Sequence, residues 1–174
     1  MAALTEEQSM IKDQAEAWVK EQAPVQKFRA MRDSKNELGF DKNTWQTMVE
    51  MGWAGIIIPE AYGGSELGYL TFGVILEQVG QQLSASPLFA SAFVGASAIL
   101  LGGSENQKQT WLPKIADGSE IVTLALEEGP KHAPEKVALQ AKASDGNFIL
   151  NGSKTFVLEG MAANTFIVAA RTSA

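Results

Sequence analysis

Apolar positions recur at helical spacing as far as Gly118, and beyond it the spacing becomes that of strands. Thr5 and Gln8 stand as a capping box, Ile11, Ala15, Trp18 and Val19 share a face up to about Gln22, and Pro24 ends the run. The polar segment Gln26 to Leu38 has only weak periodicity. Asp41 reads as the N-cap of a second helix that buries Trp45, Met48 and Val49 and stops at Gly52. Trp53 to Gly68 reads as a short buried segment followed by an ordered loop. Tyr69 to Gly80 is apolar on nearly every face, which predicts a helix central to its domain. Pro87 opens a further helix down to Leu101, whose Ala, Ser and Gly residues allow close approach of neighbours or leave room for a ligand. Ser104 and Gln107 form another capping box, and Pro113 is expected to break or kink the helix carrying Trp111 and Leu112.

After Gly118, Ile121 to Leu126 is a continuous apolar run of strand length, and Val137, Leu139, Ala141 and Ala143 alternate with polar or small residues. Asp145-Gly146 and Asn151-Gly152 are hairpin signals flanking Phe148, Ile149 and Leu150, and Lys154 to Leu158 and Thr165 to Ala170 supply two more strand candidates. Helices followed by an antiparallel meander make an α+β arrangement with a boundary near Gly118. Arg171 to Ala174 follows the last strand with nothing to close the sheet, so further sequence or a partner is expected to cover that edge.

Composition narrows the function. The 174 residues are 45% hydrophobic and 20% charged, which suits one globular domain or two small ones. A net charge of -6 with no basic run argues against nucleic acid as a partner. The absence of cysteine removes disulfide scaffolds, thiolate metal sites and Cys nucleophiles, and it suits a reducing compartment. Met1 to Glu7 lacks the basic, then apolar, pattern of a secretory signal, so a cytoplasmic location is expected. The uncharged stretch between Glu77 and Glu105 has an apolar core of only about 15 residues, where a bilayer span needs about 20, so a buried helix is expected and no membrane span.

The sequence has neither a phosphate loop ending in Gly-Lys-Ser/Thr nor a Gly-x-Gly-x-x-Gly turn between strand and helix. His132, the single histidine, stands in a Pro-flanked loop and reads as solvated, so no metal site is expected. Glu127 and Glu128 end the apolar run and point to opposite faces of a strand. One of them faces a cavity at the helix-sheet junction as a base or acceptor, or both are acids where the strand emerges into solvent. Tyr62, Gly63 and Gly64 suit either a ligand loop or a tight surface turn.

Four longer motifs go further: GWAGIIIPEAYGG at Gly52 to Gly64, LTFGVILEQVG at Leu70 to Gly80, SENQKQTWLPKIADG at Ser104 to Gly118 and FILNGSKTFV at Phe148 to Val157. In order and spacing they resemble acyl-CoA dehydrogenases. The resemblance implies an N-terminal helical domain over residues 1–118, the start of a middle β-barrel domain over 119–174, and a C-terminal helical bundle that is absent here. It also implies FAD as cofactor, an acyl-CoA thioester as substrate, and a homo- or hetro-oligomeric assembly with another subunit of this type. The family's catalytic carboxylate lies in the bundle, so no residue of this chain is assigned as catalytic.

Departures from the family pattern cluster at the implied site. Where the family reads Thr-Glu-Pro-x-Ala-Gly-Ser-Asp, this chain has Glu127 to Pro134, so the Thr that meets flavin becomes Glu127 and the Ser near substrate becomes Ala133. After Lys154 the usual Trp-Ile-Thr is Phe156-Val157-Leu158. The resemblance therefore implies flavin contacts at Leu126 through its backbone and at Glu127, Phe156 and Leu158, with Ala133 on the substrate side. Phe156 is alternatively a barrel core residue, and Leu158 a packing residue. The lost hydroxyls resemble those of subunits that pair with a more complete partner in heteromeric, steroid-type members, and the chain alone is not expected to retain FAD.

Overall fold

A computed structural model describes residues 3–172. Helix α1 (Glu6–Gln22) starts as its sequence predicts: Thr5 Oγ1 accepts from the Gln8 N–H while the Gln8 side chain accepts from the Thr5 N–H, both at 3.1 Å. Helix α2 (Val25–Asp33) occupies the segment of weak periodicity. It buries no residue fully and rests on half-buried Val25, Phe28 and Met31, so its apolar stripe is too thin to stand out in sequence. Asp41 caps α3 (Lys42–Glu50) by accepting from the Thr44 N–H at 2.8 Å, and Gly52 leaves the helix at φ 77°. Trp45 and Met48 are buried as expected, whereas Val49 is only half-buried.

Between α3 and α4 (Gly68–Gln81) the chain buries Ile56, Ile57 and Ile58 and then folds back on them. The N–H groups of Ser65, Glu66 and Leu67 donate to the carbonyls of Gly55, Ile58 and Ile56 at 2.9 to 3.1 Å. A Cβ on Gly64 would lie 1.9 Å from the Ile58 carbonyl oxygen, so this turn is closed by backbone packing. Helix α4 buries Phe72, Ile75 and Gln78, while Tyr69 and Leu70 stay half exposed on its outer face, so it is central on one side only. Trp18 of α1 meets Trp53 edge to face at 5.1 Å.

Pro87 introduces a π-helical segment (Leu88–Gly95) that runs into α5 (Ala96–Gly102), so the small-residue stretch is less regular than one α-helix. Helix α6 (Glu105–Ala116) begins with the Ser104/Gln107 capping box. Pro113 does not end it, because Leu112 and Ile115 on either side are fully buried and hold the last turn in place.

The strands are β1 (Val122–Ala125), β2 (Gln140–Ser144), β3 (Asn147–Asn151) and β4 (Thr165–Val168). The α+β class holds, but antiparallel pairing is confined to β2 and β3, joined at Asp145-Gly146 with φ of 48° and 79°. β1 and β4 pair in parallel with Val122 opposite Thr165, since the chain loops over the 39 residues between them rather than turning back at once. Asn151-Gly152 makes no hairpin, and Lys154 to Leu158 is irregular because its polar groups bond to the loop after β1. Arg171 bridges Gln140, its N–H donating to Leu139 and its carbonyl accepting from Ala141, so part of the edge expected to be open is paired. Ser173 and Ala174 lie outside the described residues.

β1 is seated on the helices. The Val122 N–H donates to the buried Ser91 Oγ at 3.0 Å, and a Cβ on Gly95 would lie 2.6 Å from the Val122 carbonyl oxygen. Val122 belongs to the same buried cluster as Phe72, Leu88 and Leu112. No helix among the described residues is long and apolar enough to cross a membrane.

Candidate functional site

The end of β1 and the segment from Lys154 to Leu158 lie side by side, which brings Leu126, Glu127, Phe156 and Leu158 together. Lys154 Nζ donates to the Leu126 carbonyl at 3.0 Å, the Thr155 N–H donates to the Glu127 carbonyl at 2.8 Å, and Thr123 Oγ1 donates to the Leu158 carbonyl at 2.6 Å. Phe156 is 75% exposed and sits at φ 51°, a conformation that costs a bulky residue energy. Among the described residues it is not part of the buried core. Leu158 is half exposed, so it packs only in part.

Glu127 and Glu128 lie beyond the end of β1 rather than on the strand expected from sequence, and they turn to different partners. Glu127 folds over its own loop, accepting from the Ala133 N–H at 3.1 Å and meeting His132 Nδ1 at 2.5 Å. The Ala133 N–H above all, and then His132, lower the Glu127 carboxyl pKa. This contact joins Glu127 to Ala133, two positions that sequence resemblance assigns to opposite sides of the site. His132 is exposed as expected, yet it is paired with Glu127 rather than merely solvated.

Glu128, one of the two acids the sequence offers as a base or acceptor, is an acceptor for groups of this chain. Its carboxylate accepts from Lys154 at 2.7 Å and from the Ala138 and Leu139 N–H groups at 2.8 and 3.0 Å. Those bonds, Lys154 first, hold its pKa at about 2. The Lys154 side chain is 6% exposed, so a nearly buried cation is matched by one carboxylate and one carbonyl. The signal in sequence was an acid at the end of a strand and a lysine after Asn-Gly, two commonplace features that only the fold joins.

The chemistry of this donor set fits one face of a planar, largely apolar ring. Phe156 and Leu158 present apolar surface, whereas the nearby hydroxyls of Thr123 and Thr155 are spent on the Leu158 and Gly129 carbonyls. Side-chain donors for the ring's polar edge are thus scarce, and backbone N–H groups at the end of β1 are what the wall can offer.

The grooves lie elsewhere. One of about 540 Å³ runs between α1, α2 and α3, lined by Trp18, Met31 and Thr47. Another of about 420 Å³ lies at the helix-sheet junction against Ile99, Trp111, Val122 and Ile167. Neither Glu127 nor Glu128 lines it, because both are drawn into the loops beyond β1. Tyr62 donates to Glu105 at 2.7 Å, tying its turn to α6.

The chain matches the acyl-CoA dehydrogenase N-terminal domain over residues 5–119. It is 34% identical over 144 residues to the mitochondrial 2-methylacyl-CoA dehydrogenase of Solanum tuberosum, covering 80% of this chain and 35% of that protein. Among solved structures, the Tcur3481-Tcur3483 steroid ACAD variant superposes with a TM-score of 0.83 at 30% identity, covering 95% of this chain and 45% of that one. The ChsE4-ChsE5 complex from Mycobacterium tuberculosis gives 0.83 at 27% identity, covering 98% and 45%. The chain therefore spans less than half the length of these relatives.

Proposed function

The chain belongs to the acyl-CoA dehydrogenase family, and from that premise we propose that it contributes one wall to the FAD-dependent α,β-dehydrogenation of an acyl-CoA thioester. The catalytic base and most of the flavin site then lie in sequence other than these 174 residues. In this reading residues 1–118 are the helical domain and 119–174 the start of the middle barrel. The observation that carries it is the cross-linked pair of segments at Leu126–Glu128 and Lys154–Leu158, which leaves Phe156 and Leu158 facing outward.

Bound FAD supplies the hydride acceptor for the β-hydrogen while a carboxylate elsewhere takes the α-proton. This chain's own part is positional. Backbone N–H groups at Leu126 and Glu127 meet the polar edge of the ring, and Phe156 and Leu158 cover its face and keep water from it. Ala133, lacking a hydroxyl, lines the acyl side. Glu127 stays bonded to Ala133 and His132, which keeps its negative charge from the ring's polar edge.

The finer reading is a subunit of a heteromeric, steroid-type assembly in the cytoplasm. Two structural neighbours carry two-component names, one of them with the word steroid, and the chain contains no cysteine. Native mass spectrometry of the protein isolated with its endogenous partners tests this. The expected result is a flavin-containing assembly in which further acyl-CoA dehydrogenase-type sequence provides the base. A second reading, a non-catalytic acyl-CoA-binding or assembly subunit, draws on the engagement of Glu127 and both threonines within the protein. It predicts a flavin-free assembly that still binds acyl-CoA in calorimetry.

A further inference from the structure

We propose that Thr123 is a positioning residue for the wall formed by Phe156 and Leu158: its buried hydroxyl, by holding the Leu158 carbonyl, keeps the segment that bears both side chains in its ring-facing conformation. The inference rests on the wall reading given above and adds to it a residue of β1 that does not itself touch the ring. Val122 packs among Phe72, Leu88 and Leu112, so strand alternation turns Thr123 to the opposite face, away from the helices. Thr123 is buried there, and its Oγ1 donates to the Leu158 carbonyl at 2.6 Å.

The segment from Lys154 to Asn164 runs back along β1 without forming a strand. At one end the Thr155 N–H donates to the Glu127 carbonyl at 2.8 Å, and at the other the Asn164 N–H donates to the Ile121 carbonyl at 3.1 Å. Between these backbone bonds, among the described residues, the Thr123 hydroxyl makes the one hydrogen bond that joins residues 156–161 to another segment. That stretch is also the strained one. Phe156 and Glu159 stand at φ 51° and 50°, a left-handed conformation that residues with long side chains keep only where their surroundings over-determine it. The Glu159 carbonyl accepts from the Ala162 and Ala163 N–H groups at 2.9 and 3.0 Å, which closes the turn on its far side. On the near side, the Leu158 carbonyl belongs to the planar peptide shared with Glu159, so holding it restrains the ψ of Leu158 and the φ of Glu159 together. Phe156 and Val157 are then pinned between Thr155, held at Glu127, and Leu158, held at Thr123, which opposes the return of Phe156 to negative φ.

The test compares Thr123→Val, which removes the hydroxyl at nearly the same shape, with Thr123→Ser, which keeps it, in the assembly isolated with its endogenous partners. Amide exchange of the apo-assembly, read by mass spectrometry, is expected to quicken in Thr123→Val at Gly160, Ala162 and Ala163, whose N–H groups bond within the segment. Peptides of α4 are expected to exchange as before, and Thr123→Ser to restore the original rates. Titration with FAD is expected to show binding weakened roughly threefold to tenfold in Thr123→Val. The visible absorption bands of bound flavin, which report the ring's surroundings rather than global stability, shift in that variant and recover in Thr123→Ser. Unaltered exchange in Thr123→Val overturns the proposal and leaves the wall reading standing. Faster exchange with FAD affinity and spectrum unmoved overturns the wall reading, and with it the role of Thr123 in this site. Exchange quickened equally in α4, or no recovery in Thr123→Ser, marks a general packing role and overturns the proposal as well.

Discussion

Lys154 lies 2.7 Å from Glu128 and at the same time donates to the Leu126 carbonyl, so the end of β1 and the segment bearing Phe156 and Leu158 are locked by one nearly buried ammonium group. Glu128 also holds the N–H groups of Ala138 and Leu139, which ties the approach to β2 into the same joint.

Glu128→Gln removes the counter-charge and leaves Lys154 nearly buried and unmatched. The expected outcome is a melting temperature lower by several degrees and faster amide exchange at Ala138, Leu139 and Thr155, with the exposed Glu135→Gln as a control that changes neither. Unchanged exchange at those three amides would show that the joint does not hold the two segments together.

The same joint sets an acid limit on stability. The Glu128 carboxyl falls from 4.5 to about 2 on folding, held by Lys154 first and then by two backbone N–H groups, and Glu127 is lowered as well. Protons therefore bind the unfolded chain more tightly, so the stabilisation is full above pH 4.5 and is lost as pH falls from there toward about 2. Urea midpoints measured down through that window are expected to drop, and to drop less steeply in Glu128→Gln.

Ser91 and Gly95 seat β1 on the helices. Ser91→Ala leaves the buried Val122 N–H without its partner and is expected to cost about 1–3 kcal/mol. Gly95→Ala pushes a methyl group against the Val122 carbonyl and is expected to cost about 1–3 kcal/mol or more. Chemical denaturation of each variant gives these values, and a neutral Gly95→Ala would mean that β1 is not pressed against the π-helical segment.

Much of this fold was legible in sequence because the relevant signals are local. The capping residues Thr5, Asp41 and Ser104 fix helix starts within three residues of chain, and Asp145-Gly146 fixes one turn by backbone conformation alone. What stayed hidden depends on contacts distant in sequence. The parallel pairing of β1 with β4, the seat of Val122 on Ser91 and the bond from Lys154 to Glu128 each join residues that no short window contains. Phe156 illustrates the same limit: its sequence context suits a ring contact or a core position alike, and only the backbone shows its φ of 51° and its exposure among the described residues.

Restoring the missing hydroxyls tests the side-chain account of flavin affinity. Each neutral hydrogen bond contributes about 0.5–1.5 kcal/mol, so Glu127→Thr with Leu158→Thr in the flavin-containing assembly is expected to tighten FAD binding roughly tenfold to a hundredfold. Fluorescence titration of the apo-assembly with FAD measures it, and weaker binding by the double variant would show that Glu127 serves the site better through its hold on Ala133.

The most direct measurement of the one-wall account is the FAD content of the purified 174-residue protein, obtained by denaturing it in the presence of added FAD-free buffer and reading the released chromophore against protein concentration. The account predicts far less than one FAD per chain, since Phe156 and Leu158 offer a single face and the hydroxyls of Thr123 and Thr155 donate to carbonyls of the chain itself. Stoichiometric FAD in the isolated chain would contradict it.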